Sequence, residues 1–215
     1  MIQRTLAALA SFSFVGWLAT VEIPPAHADD RDGAVANAAR IVSIGGDITE
    51  ILYALGVEDR IVAVDSTSLF PARAATDNEV VGYMRAISPE GVLAASPSVV
   101  IAIEGTGPKE AIEVLEKASV PFVTVPEVRD EAGVLAKIRL VAKAVGEEAR
   151  GEQLAAEVAE DFAALAAIRD SIAERRSAVF VLSLGQGAPT VGGKGTAADA
   201  LFALAGVDNA LADVT

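Results

Sequence analysis

From residue 40 onward, short apolar runs alternate with stretches in which apolar residues recur every three or four positions. "RIVSIG" predicts a strand. "DITEILYALG" predicts a helix that opens near Asp47 or Thr49 and stops at Gly56, and "RIVAVD" a second strand. "SPEGVLAASP" predicts a short helix. Ser88 caps it, Pro89 fits the first turn, and Glu90 favours the positive end of the helix dipole. "SVVIAIEG", "GPKEAIEVLEKAS" and "PFVTVPEV" continue as strand, helix and strand. The stretch "STSLFPARAATDNEVVGYMRAI" has no clear period and reads as a long irregular connection. Strands alternating with helices predict an α/β fold, with a mostly parallel sheet covered on both faces.

The pattern changes at Glu131. "EAGVLAKIRLVAKAVG" predicts a helix ended near Gly146, and "EEARGEQLAAEVAEDFAALAAIRDSIAERR" a longer one. Roughly 28 helical residues would span about 40 Å at 1.5 Å per residue. A single α/β lobe needs no such connector, whereas a helix joining two lobes does. Beyond it, "SAVFVLSL" predicts a buried strand and "GQGAPTVGGKG" a glycine-rich loop. "TAADALFALAG" predicts a helix capped by Thr196 and closed by Gly206. The expected organisation is an N-terminal α/β lobe over 40–130, linking helices over 131–175, and the start of a C-terminal α/β lobe over 176–215.

The first 28 residues read differently. Arg4 supplies a positive start, "LAALASFSFVGWLAT" an apolar centre, and Ala26-His27-Ala28 a small-x-small cleavage site. This is the pattern of a secretory signal peptide cut after Ala28, followed by a polar, mobile leader over 29–39. The sequence has no cysteine, so no disulfide forms and no cysteine is lipidated at the processing site. Its one histidine, His27, leaves with the signal peptide, which removes histidine-based catalysis and most zinc chemistry. A net charge of −13 disfavours nucleic acid and anionic membranes.

"GQGAPTVGGKGT" follows a predicted strand and precedes a predicted helix, but Gly195 separates Lys194 from Thr196 and breaks the phosphate-loop spacing. It reads instead as a cleft-lining loop whose backbone can approach a ligand closely. Asp47, Glu50 and Asp65 lie near strand ends, yet nothing in the pattern pairs them, and no enzyme is expected. The chain has two tyrosines. Tyr53 sits among Ile51, Leu52 and Leu55 and reads as packing. Tyr83, in "EVVGYMRAISPEG", lies outside either apolar period, so it is either an aromatic resting on the surface or a functional group. A phenolate is a hard anion suited to ferric iron and a known axial ligand of haem. Free phenol has a pKa of about 10, so the metal or a nearby cation must favour the anion. In an extended loop, residues i and i+2 point the same way, which would set Arg85 beside Tyr83 and turn Met84 to the other side.

The order of elements, with "RIVSIGGDITEILYALG", "RIVAVD", "VVGYMRAISPEGVLAASPSVVIA" and "GKGTAADALFALAGVDNA", resembles the haem-binding periplasmic proteins of bacterial ABC haem importers. The opening motifs are shared with siderophore- and cobalamin-binding relatives, and "GYMRAISPEG" is the discriminating one. The resemblance implies two α/β lobes joined by one long helix, residence in the periplasm, and delivery of haem to an ABC permease in the inner membrane. It implies that Tyr83 is the iron ligand, Arg85 its hydrogen-bonding neighbour, and Glu90 an acidic residue that docks onto the permease; Met84, between the first two, is expected as a further ligand-binding residue. Ferric-siderophore or cobalamin binding, or a non-functional fragment, is the alternative. Relatives that add a histidine to the iron have no counterpart here. The resemblance also implies on the order of 60 further residues beyond "DVT", two more βα units, so a truncated second lobe is expected.

Overall fold

The computed structural model describes residues 38–185 and 187–213. The expected signal peptide, and the leader as far as residue 37, lie outside the described residues; Ala38 is already buried.

The first half is a five-stranded sheet. Its strands are β1 (Ile41–Ile44), β2 (Ile61–Val64), β3 (Glu79–Val80), β6 (Val99–Ile103) and β7 (Phe122–Val125), in the order β3-β2-β1-β6-β7, every pairing parallel. β4 (Gly82–Tyr83) and β5 (Ala86–Ile87) form a separate antiparallel hairpin. β1 and β6 are buried along their whole lengths, which is why they read as unbroken apolar runs rather than alternating ones.

Helices cover both faces. α1 (Gly46–Ala54) and α5 (Glu131–Val145) share one core, where Ile48 and Leu52 meet Val141 and Val145 beneath Ile41 and Ile101. α3 (Pro89–Ala94) and α4 (Lys109–Lys117) share the other, where Val92 and Leu115 meet Val42 and Val100. α2 (Ala74–Asp77) is a single turn ahead of β3. Ser88 does cap α3, accepting from the Gly91 N–H at 3.0 Å, with Pro89 in the first turn. The Arg40 guanidinium closes the other end of α3 by donating to the carbonyls of Ala95 and Ser96.

α5 ends at Gly146 in the left-handed conformation and the chain turns into α6 (Glu148–Asp170). Arg60 pins that corner, donating to the Val145 carbonyl and pairing with Glu147 at 2.6 Å. The two helices pack so closely that a Cβ on Gly151 would overlap the Ala142 methyl. α6 has 23 residues, shorter than expected, because the chain leaves the helix at Ser171 and not after the arginines.

The C-terminal segment has β8 (Ser177–Ala178), β9 (Val181–Ser183), β10 (Thr190–Val191), α7 (Ala197–Ala205) and β11 (Asp208–Asn209). β8 pairs with β11 in parallel and β9 with β10 in antiparallel. The expectation of a buried strand over "SAVFVLSL" is corrected. The run splits into β8 and β9, and Leu182 and Leu184 are 70% and 81% exposed. Among the described residues no element covers the side chains of β9, all three of which are exposed. Thr196 caps α7 and Gly206 ends it, as the sequence predicts.

Candidate functional site

The hairpin that carries Tyr83 emerges from the edge strand β3. Val81 donates to the Val64 carbonyl at the end of β2, and Ser66 donates to the Gly82 carbonyl at 2.7 Å. On the far side, Gly107 donates to the Met84 carbonyl at 2.9 Å and Ile87 donates to the Gly107 carbonyl at 3.0 Å. The hairpin is therefore tied to the loops after both β2 and β6, the two strands that flank β1. It spans the carboxyl end of the sheet where the strand order reverses, the place where open α/β sheets bind ligands.

Gly82 permits this path. Its φ is +111°, and a Cβ there would stand 2.8 Å from the Ala86 carbonyl oxygen. Tyr83 pairs with Ala86, so Met84 and Arg85 form a tight two-residue turn rather than the extended loop expected. Tyr83 is 47% exposed and Arg85 is exposed, with no hydrogen bond between them among the described residues. Met84 is half-buried and packs against both cores, which anchors the turn. The other tyrosine packs against the α1 and α5 core with the Arg73 guanidinium 5.0 Å above its ring. Glu90 is exposed in the first turn of α3, its Oε2 accepting from the Ser88 hydroxyl at 3.3 Å.

Asp65 is not a free carboxylate. Fully buried, it accepts from the Gly45 and Thr67 N–H groups and from the Thr67 and Ser68 hydroxyls. A buried chain of hydroxyls, Ser43 to Thr49 to Ser68, continues from it, each step 2.7 Å. Asp65 thus locks the Gly45-Gly46 turn to the loop after β2 and underpins the same end of the sheet.

Lys137 belongs to none of the candidate site motifs described above. It lies on the buried stripe of α5 with Gly133, Val141 and Val145, four residues apart, and a lone charge on such a stripe was the available signal. Its side chain is 9% exposed, and Nζ pairs with Asp47 in the first turn of α1 and with Glu127 Oε2 at 3.3 Å. Glu127 lies in the segment between β7 and α5. That segment and the N-terminal end of α7 border an open, shallow hollow of about 400 Å³, with Glu127, Arg129 and Asp130 on one side and Gly195, Thr196 and Asp199 on the other. Of the glycine-rich loop, Gly195 borders this hollow. Asp199 accepts from the Asn209 amide and the Gly195 N–H, and these bonds hold its carboxyl below the usual aspartate range, with Lys194 adding attraction.

Residues 41–214 match the family model described as periplasmic binding protein. The chain belongs to the periplasmic binding protein family. Among solved structures, the periplasmic heme-binding protein RhuT from Roseiflexus sp. RS-1, in apo form, superposes with a TM-score of 0.78 at 37% identity, covering 82% of this chain and 67% of that one. The vitamin B12-binding protein of Vibrio campbellii is 36% identical over 93 residues, 42% of this chain and 34% of its own length. The uncharacterized ABC transporter substrate-binding lipoprotein YvrC of Bacillus subtilis is 32% identical over 117 residues, 54% of this chain and 37% of its own length. The chain thus spans little more than a third of the length of these two curated relatives. The fold of this periplasmic binding protein is the two-lobed α/β architecture with a long linking helix.

Proposed function

We propose that this binding protein captures haem outside the cytoplasm and hands it to an ABC permease. The observation that carries this reading is the half-exposed Tyr83 phenol, presented by a braced hairpin at the carboxyl end of the parallel strands. Tyr83 supplies the phenolate to ferric iron, Arg85 on the turn stabilises the developing negative charge, and Met84 holds the turn to the core. The kinship with a protein named for heme binding supports the choice of ligand.

Haemin titration tests it. Binding with a ferric tyrosinate spectrum that is lost in Tyr83→Phe is the expected result. An unchanged spectrum in Tyr83→Phe would remove the ligand assignment. Kinship with a vitamin B12-binding protein favours a second reading, cobalamin as ligand. Cyanocobalamin that binds more tightly than haemin would replace the first reading with the second.

Glu90 is the proposed docking carboxylate. Exposed on the first turn of α3, it is available to permease arginines, and such complementarity acts mainly on the association rate. Glu90→Lys should slow association with the permease at low salt; an unchanged rate would remove the role. Export follows the N-terminal pattern, and processed protein should begin at Asp29. Material that begins at Met1 in a membrane fraction would contradict cleavage.

A further inference from the structure

We infer that Asp65, the buried carboxylate after β2, is a positioning residue of the binding site, which fixes the hairpin that presents Tyr83. This rests on the reading of Tyr83 as the group that meets the ligand, and adds the residue that sets where the phenol stands.

Asp65 and Ser66 give their backbone N–H groups to different elements. The Asp65 N–H donates to the Ser43 carbonyl of β1 at 3.2 Å, and the Ser66 N–H to the Gly82 carbonyl, one residue before Tyr83, at 2.7 Å. The aim of the second bond depends on how the chain bends after β2, and the Asp65 side chain sets that bend. Its Oδ2 accepts from the Thr67 N–H at 3.0 Å and the Thr67 hydroxyl at 2.8 Å, closing an Asx turn around Ser66. Its Oδ1 accepts from the Gly45 N–H at 2.9 Å and the Ser68 hydroxyl at 3.1 Å, which ties the turn to the end of β1. Thr67 adds a further tie, its hydroxyl accepting from the Gly46 N–H at 3.1 Å. The two backbones come so close there that a Cβ on Gly46 would stand 2.6 Å from the Thr67 carbonyl oxygen.

Packing alone does not call for a charge at this position. Asp65 is fully buried, and its donors are two backbone N–H groups and two hydroxyls, shared evenly between its oxygens. A buried charge satisfied in this way specifies one geometry, because a shift of the turn strands the carboxylate or a backbone N–H without a partner. The loop after β6 does not fix the hairpin by itself. Gly107 holds the Met84 carbonyl, just beyond Tyr83, while Ser66 holds the Gly82 carbonyl, just ahead of it. The phenol stands between these two bonds, and Asp65 controls the first.

The test reads the hairpin with and without haemin. Asp65→Asn keeps the size of the side chain, but in either orientation its NH2 group faces the Gly45 or the Thr67 N–H and accepts from neither. In the unliganded protein the Ser66 amide should then exchange about ten- to a hundredfold faster, the loss of a hydrogen bond to a charged group, while the β6 amides keep their rates. Haemin affinity should fall about tenfold, because the phenol is no longer held in place before the ligand arrives. In a Tyr83→Phe background the same change should leave the residual haemin affinity within about twofold, since Asp65 acts through the phenol. Thr67→Val removes one donor pair and should act in the same direction to a smaller degree, which decides the matter if Asp65→Asn does not fold. Val141→Ala, which opens a cavity in the core shared by α1 and α5, should lower the unfolding midpoint without either effect. A Ser66 amide as well protected as before would overturn the inference. Equal losses of haemin affinity with and without the Tyr83 phenol would overturn it too, and make Asp65 a support of the whole site. If the unaltered protein binds no haemin, the ligand reading falls, and the Ser66 exchange rate alone decides whether Asp65 holds the hairpin.

Discussion

The Gly107 N–H donates to the Met84 carbonyl at 2.9 Å, and through this bond the loop after β6 holds the turn that presents Tyr83. The phenol's position is thus a property of the sheet's carboxyl end and not of a free loop. The contrast between the two tyrosines follows. Tyr83→Ala should abolish the ferric tyrosinate spectrum with little change in stability. Tyr53→Ala should keep the spectrum but lower the unfolding midpoint, because it removes packing against the α1 and α5 core. Haemin titration and thermal unfolding of both variants make the comparison.

Gly82→Ala should loosen the same hairpin. The backbone there has φ +111° and a Cβ would press on the Ala86 carbonyl. Strain of this kind costs about 1–3 kcal/mol, so denaturant unfolding should show a loss in that range. Haemin affinity should fall as well.

Lys137→Met keeps the length of the side chain and removes its charge. Breaking a fully buried pair costs about 3–5 kcal/mol, but Asp47 and Glu127 are 43% and 32% exposed and can be rehydrated. A loss of about 1–2 kcal/mol is expected after that discount. Urea unfolding measures it.

The α7 cap should resist acid. Asn209, then Gly195, then Lys194 hold the Asp199 carboxyl below its ordinary value. A carboxylate depressed by folding adds stability that is fully present above its unfolded pKa, near about 4, and that is lost only as pH falls through the lower folded value. Carbon-detected titration of Asp199, read beside the Gly195 amide shift, should place the transition below that of an ordinary aspartate. Asp199→Asn should remove the transition.

The apolar ribbon Val179–Leu184 should exchange its amide hydrogens fast, while β1 and β6 stay protected. Uniform protection across the two regions would contradict the exposure seen here.

Much of this was legible in the residues. The parallel strands announce themselves because strands buried on both faces are apolar throughout, and the caps at Ser88 and Thr196 are where short polar side chains meet unpaired N–H groups. The Tyr83 hairpin was not legible, since two residues per strand are too few to show a period and its register comes from bonds to Ser66 and Gly107, distant in sequence. Lys137 escaped because its partners lie on other elements. The strand over "SAVFVLSL" was read as buried on composition alone, which says that side chains are apolar but not that a second layer covers them.

The placement of β1 between β2 and β6 also sets an order in time. On one side β1 pairs with the next strand of the sheet along the chain, but its other neighbour must come from far along the chain, as in the Arg40 to Ser98 contact 58 residues apart. Closing so long a loop is slow, because its entropy is lost before the contacts repay it. The second anchor of the Tyr83 hairpin, Gly107, follows β6. A nascent chain that has made α1, β2 and the hairpin therefore carries Tyr83 with only its first anchor, and the second arrives once β6 and the loop to Gly107 have been added.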